Sequence, residues 1–199
     1  ELYKETGKYG PPEELNLDMG DTRALFKAGR CGLLVEWGDP GPLQLDDDAT
    51  AIKGKLYAIS ALGSREVLNR ATGELVPVNN VNAPHAIDGI NYAPFAAFGG
   101  WAGAVNKGAD QKTKDAAYAF LSYMNQSAQS SVDVTIGATG YNPYRLSQLS
   151  SPDLFVKAGM PQALAENYIG AINGALNSLN MASDLSLIHI SEPTRHLLI

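Results

Sequence analysis

Cysteine and histidine are scarce in this sequence. Cys31 is the only cysteine among 199 residues, and there are 3 histidines. A single thiol excludes both an internal disulfide and a zinc cluster built on cysteines. Because the residues that follow Cys31 are apolar, we expect its thiol to be buried and unreactive. His85 lies in a stretch rich in turn residues, where an exposed, structural role is expected.

Excess positive charge is also missing. The formal net charge is −6, and nucleic-acid affinity depends largely on basic groups, so we predict no nucleic-acid partner. Asp46, Asp47 and Asp48 are adjacent rather than spaced as the ligands of a calcium loop are, which predicts a solvated acidic loop. No apolar run approaches the ~18–20 residues that a membrane-spanning helix needs.

Recognised catalytic motifs are absent as well. The sequence contains no nucleophile elbow, phosphate-binding loop, H-E-x-x-H helix or dinucleotide fingerprint. No pair of carboxylates is marked out for glycoside hydrolysis. We therefore predict that the chain is not an enzyme, with no catalytic residues, metal site or cofactor.

The C-terminal stretch resembles a translated sequencing adapter. Residues 185–195, LSLIHISEPTR, match in frame the translation of a transposase adapter used in library preparation. We therefore treat 185–199 as a non-native tail and 1–184 as a fragment that begins within a longer protein. This division leaves His85 as the only native histidine.

Hydrophobic patterning in the remaining 184 residues predicts an α/β fold. Continuous apolar runs indicate strands covered on both faces, whereas spacings of three and four indicate amphipathic helices. We predict a helix at 21–29, with Asp21 as its N-cap and Gly29 just beyond its end. The other predictions are strands at 32–37, 55–64, 92–98 and 101–106, helices at 113–124 and 162–179, a short helix from Leu154, and an irregular segment at 65–91.

Aromatic and polar residues coincide at the predicted strand ends and turns. We interpret Trp37, Asp39, Trp101, Tyr141 and Arg145 as ligand-binding residues. Aromatic faces suit the C–H faces of sugars, and carboxylate and guanidinium groups suit their hydroxyls; small-molecule sites favour this mixture. The alternative is structural: either tryptophan could fill a core, and Arg145 could pair with a surface acid.

Four segments, taken in order, resemble the family 1 extracellular solute-binding proteins of ABC importers, the sugar-binding class that includes maltose-binding proteins. The chain departs from this family by lacking a common proline at 61–63 and by its long 65–91 insertion. The matching segments are FKAGRCGLL at 26–34 with Trp37, ALGS at 61–64, GGWAGAVNK at 99–107 with the helix at 112–125, and GYNPYR at 140–145.

The resemblance implies a periplasmic-binding-protein-like (type II) fold. Residues 1–184 would form mainly its C-terminal lobe, a mixed sheet flanked by helices. A parent of this family has two lobes joined by a hinge, binds its solute between them, and delivers it to a membrane permease. It would be a monomer located in the periplasm or outside the cell, including as a surface lipoprotein. Two alternatives stay open, a sensor ectodomain of the same fold and a carbohydrate-active hydrolase.

Overall fold

A computed structural model describes residues 2–49, 51–96, 102–137 and 139–183. The chain combines helices with short β-strands and divides into two compact units. The first unit comprises residues 1–58 and 115–169, and the second comprises 59–114 and 170–199. Trp101 and the tail at 185–199 lie outside the described residues, so the predictions made for them stay predictions.

The first unit is helical, and its described residues contain no β-strand. The two longest helices, Gln111–Met124 and Gln162–Leu176, each have residues assigned to both units. Short 3₁₀ turns occupy Glu14–Asn16 and Gly41–Leu45. The helices are α1 at Leu2–Thr6, α2 at Met19–Lys27, α3 at Gln111–Met124, α4 at Ser127–Asp133, α5 at Leu146–Leu149, α6 at Asp153–Lys157 and α7 at Gln162–Leu176.

The second unit contains all the described strands, as three separate pairs. The longest pair is an antiparallel hairpin in which Glu66 lies opposite Pro77 and Asn69 opposite Glu74. A second pair is antiparallel and the third is parallel. The strands are β1 at Gly63–Ser64, β2 at Glu66–Asn69, β3 at Glu74–Pro77, β4 at Asn91–Tyr92, β5 at Phe95–Ala96 and β6 at Ala182–Ser183; they pair as β1–β4, β2–β3 and β5–β6.

The local signals for helices are largely confirmed. Gly29 directly follows Ala28, the C-cap residue of α2. Its φ of +74° is the left-handed conformation expected of a residue that ends a helix. The predicted N-cap was wrong by one turn: Asp18 caps α2, and Asp21 returns the bond in a capping box. The helix predicted for 162–179 is confirmed over Gln162–Leu176, and the short one near Leu154 is α6.

Several strand predictions were wrong. Residues 32–37 form no strand, and Leu33 and Val35 are 82% and 96% exposed rather than covered on both faces. Only Gly63–Ser64 of the predicted strand at 55–64 is paired. A strand needs a hydrogen-bonded neighbour, and no described segment pairs with 32–37. The segment at 65–91, predicted to be irregular, instead contains the β2–β3 hairpin.

Buried apolar side chains form the core of the first unit. Leu43, Ala49 and Ile52 are buried, with Phe26 and Leu56 packed against them. The rings of Phe155 on α6 and Tyr168 on α7 meet edge to face, with centroids 5.0 Å apart. A side chain at Gly41 would come within 2.2 Å of the Tyr168 ring, so this position requires glycine. The turn at 38–41 is thereby fixed to the core.

Candidate functional site

The turn that carries Trp37 and Asp39 is bonded to Arg23, a residue of α2. Arg23 is 5% exposed and Asp39 is 1% exposed. Nη1 of Arg23 lies 2.9 Å from Oδ2 of Asp39, and its Nη2 donates to Oδ1 at 3.0 Å. Its Nε donates to Glu36 Oε2 at 3.1 Å. Arg23 therefore bonds to both carboxylates in a forked geometry. These contacts fix the orientation of the three side chains relative to one another.

The charges in this buried group shift the titration of its neighbours. Burial lowers the pKa of Arg23, but the hydrogen bond that Arg23 donates to Glu36 and the charge of Asp39 outweigh it and leave that pKa above its ordinary value. Burial, followed by the charge of Asp39, raises the pKa of Tyr168. The Tyr168 hydroxyl donates to the Gly38 carbonyl at 2.8 Å. Arg23 thus forms ion pairs with both Glu36 and Asp39.

A second loop, residues 139–145, lies against this turn. The backbone N–H of Gly140 donates to Oδ2 of Asp39 at 3.1 Å, across 101 positions of sequence. Gly140 has a φ of +78°, a conformation that favours glycine. Next to it, the N–H of Tyr141 donates to Oγ1 of Thr139 at 3.3 Å. The structure thus brings the predicted residues Asp39 and Tyr141 into adjoining loops of one unit.

Arg145 lies at the end of this loop, in a network of polar groups. Its Nε donates to Oγ of Ser130 at 3.1 Å, and its Nη2 donates to the Asn125 carbonyl. Its guanidinium carbon lies 5.4 Å from the centre of the Tyr144 ring, within the range of a cation–π contact. Gln148, 0% exposed, accepts the backbone N–H groups of Tyr144 and Arg145 at 3.0 and 3.1 Å. The loop therefore enters α5 in a fixed geometry.

The predicted site residues differ in how open they are to a ligand. The Tyr141 side chain is 39% exposed, and Trp37 and Arg145 are half-buried. Asp39 is buried, and both of its oxygens are bonded within the protein. Tyr141, Trp37 and Arg145 can contact a bound molecule with little rearrangement, whereas Asp39 can do so only by giving up an internal partner. Trp101 is not among the described residues.

Sequence reasoning missed the residues that support this site. Arg23 reads as an ordinary polar residue of an amphipathic helix, and Gln148 has no local motif that marks it as buried. A weak signal existed for Asn142, which lies between Tyr141 and Pro143 in a loop rich in aromatic residues. Its Oδ1 is buried, and no group in the described part of the chain donates to it. A buried acceptor without a donor is unfavourable, which makes Asn142 a further candidate for ligand contact.

Two further features considered in the sequence are the acidic loop at 46–48 and the thiol of Cys31. The acidic loop at 46–48 pairs with a lysine: Nζ of Lys27 lies 2.8 Å from Asp48 and 3.3 Å from Asp46. The bond from Lys27 lowers the pKa of Asp48. Within the described ranges, no group of three or more histidine, cysteine and acidic side chains could hold a metal ion. Cys31, predicted to be buried, is half-buried.

Comparisons of the chain with models of protein families, with characterised proteins and with solved structures give no match. Among the residues that the structure describes, no helix has the length and apolar character to cross a membrane.

Proposed function

We propose that the chain is part of a solute-binding protein that takes up a small carbohydrate at the loops around Trp37 and Tyr141. The observation that carries the proposal is the bond from Gly140 to Asp39, which joins two loops that the sequence had separately marked as ligand-binding. The type II periplasmic-binding-protein-like lobe, the periplasmic or extracellular location and the ABC permease as partner are parts of the same proposal. They rest on the four resembling segments.

The exposed groups on these loops have the chemistry that sugars require. Tyr141 offers a partly exposed ring, which can stack on the C–H face of a pyranose and donate a hydrogen bond from its hydroxyl. Arg145 keeps guanidinium N–H groups beyond those used by Ser130 and Asn125. Apolar faces beside a few directed polar groups are typical of small-molecule sites.

The two carboxylates of the segment at 36–39 favour binding over turnover. Glycoside hydrolysis needs one carboxyl group able to protonate the leaving group and a second that acts as nucleophile or base. Glu36 and Asp39 both face Arg23 instead. A sugar on these loops would therefore be held and released unchanged, which is the behaviour of a transport component or of a sensor ectodomain.

A titration followed by nuclear magnetic resonance tests the proposal. Glucose and maltose are added at millimolar concentration to the ¹⁵N-labelled chain, with spermidine and a tripeptide as probes of other chemistry. We expect the sugars to shift the amide signals of Tyr141, Asn142 and Arg145. If sugars leave these signals in place while spermidine or the peptide moves them, the carbohydrate assignment is wrong.

Replacement of the stacking ring tests the site itself. Tyr141→Ala should weaken sugar affinity by about tenfold, because an aromatic contact contributes about 0.5–1.5 kcal/mol beyond its buried area. Tyr118→Ala is the matched control, since Tyr118 is a 70% exposed tyrosine of the same unit, on α3. Equal affinities for the two variants would place the binding surface elsewhere.

A further inference from the structure

The carboxylate of Asp39 bonds on two sides. Its Oδ2 is 2.9 Å from Nη1 of Arg23 and also accepts the backbone N–H of Gly140 at 3.1 Å. Its Oδ1 accepts from Nη2 of Arg23 at 3.0 Å. With 1% exposure, the group has no free face toward solvent. Asp39 thus connects the helix α2 to the loop at 139–145, through an ion pair with Arg23 and a hydrogen bond from Gly140.

The hydrogen bond from Gly140 to Asp39 lies directly before Tyr141 in the loop. Gly140 has its φ in the left-handed region, so its N–H direction depends on a conformation that few other residues adopt. Tyr141 follows at once, and its own N–H is bonded only weakly, at 3.3 Å, to Thr139. The anchoring of Gly140 therefore contributes to the orientation of the Tyr141 backbone.

We propose that Asp39 is a positioning residue, which holds the Gly140–Tyr141 backbone from inside the protein so that the Tyr141 ring faces the solute. In this role the carboxylate does not contact the solute. Arg23 orients Asp39 through its two Nη groups, and Glu36 is a further partner of Arg23. The anchoring of the loop follows from the hydrogen bond between Gly140 and Asp39, whereas its effect on solute binding rests on the proposed function.

Asp39→Asn is the direct test. The variant keeps the shape of the side chain but replaces one acceptor oxygen by an NH₂ group, which only donates, so the amide cannot accept all three hydrogen bonds from Arg23 and Gly140. The readout is hydrogen exchange of the Gly140 amide. Because a hydrogen bond to a charged group is about twice as strong as a neutral one, we expect exchange to accelerate about tenfold or more.

Glu36→Gln is the matched control. This change weakens the bond between Arg23 and Glu36, so it also disturbs the partners of Arg23. It leaves the bond between Asp39 and Gly140 intact. The amide of Ala165, fully buried and bonded to the Pro161 carbonyl at 3.0 Å, reports global opening in each variant. Relative to Ala165, the Gly140 amide should accelerate in Asp39→Asn only. Equal acceleration in both variants would reduce Asp39 to a general stabilising residue and overturn the proposal.

Sugar titration of the same variants separates this proposal from the proposed function. Asp39→Asn should weaken glucose or maltose binding by up to about tenfold, the loss assigned to the Tyr141 ring itself, while Glu36→Gln retains affinity. If no sugar binds the wild type, the carbohydrate function fails, yet the exchange data still decide whether Asp39 anchors the loop. If Asp39→Asn does not fold, the wild-type chain suffices: a Gly140 amide that exchanges as fast as in an unstructured peptide refutes the anchor.

Discussion

Tyr168 shows how one side chain fixes the geometry of the candidate site. It is 2% exposed, its hydroxyl donates to the Gly38 carbonyl, and its ring occupies the space beside Gly41. The aspartate that anchors the neighbouring loop stands in the same turn. A change at this tyrosine therefore acts on the site from the core side, without touching any proposed ligand contact.

We expect Tyr168→Phe to lower the free energy of unfolding at neutral pH by about 0.5–1.5 kcal/mol, through loss of one hydrogen bond. Burial and the charge of Asp39 raise the pKa of Tyr168 above its ordinary value of 10.0. Stability linked to this group is therefore fully present below pH 10 and is lost as the pH rises further, toward the folded-state pKa.

The phenylalanine variant lacks this ionisation, so its stability should fall less steeply with pH above 10. Urea unfolding at neutral and alkaline pH measures both effects. Tyr123→Phe removes a tyrosine hydroxyl that bonds Gln129 in an exposed setting and serves as the control. Identical alkaline slopes for wild type and Tyr168→Phe would contradict the burial argument.

The helix α2 links local sequence signals to the site, since it carries Arg23. Its start is specified by reciprocal bonds: Oδ1 of Asp18 accepts the Asp21 N–H at 3.0 Å, and Oδ2 of Asp21 accepts the Asp18 N–H at 3.1 Å. Gly29 specifies its end. Such signals lie within a few residues of one another, which is why the helix could be predicted from sequence although its first residue was misplaced.

Asp18→Ala should destabilise the chain by about 1 kcal/mol, because the alanine leaves an N–H of the first turn without its side-chain acceptor. Asp18→Ser keeps an acceptor at this position and should retain most of the stability. Guanidinium unfolding of the two variants measures the difference. Equal midpoints for alanine and serine would show that the capping box contributes little.

The strand pairing and the contacts that hold the site residues in place could not be predicted from the sequence. A strand at 32–37 was predicted from apolar composition, but pairing depends on a neighbour that composition does not identify. The β2–β3 hairpin was missed because its turn, with Gly73 at a φ of +75°, lies between strands that mix charged and apolar residues. The bond between Asp39 and Gly140 spans 101 positions, beyond any local pattern. Residue types pointed to Tyr141 and Arg145, whereas their anchoring came only from the fold.

The expected division of the whole chain into 1–184 and an adapter-derived tail can be tested by truncation. We expect deletion of 185–199 to leave the midpoint and steepness of thermal unfolding unchanged, because a translated adapter was never selected to pack against the protein. The deletion removes Glu192 and Arg195 together, so the formal net charge stays at −6. A lower midpoint in the truncated chain would show that the tail contributes to the fold.

The unpaired apolar segment at 32–37 has a practical consequence for handling the chain at high concentration. Leu33 and Val35 project almost fully into solvent, and the described structure gives this stretch no strand partner. Exposed apolar residues in a segment without a strand partner can promote association between chains, and natural proteins oppose such association with lysine. Val35 is the position to modify, since its 96% exposed side chain leaves room for a charge. A chain carrying Val35→Lys should stay in solution at concentrations where the unmodified chain precipitates, which makes it the material of choice for the titrations.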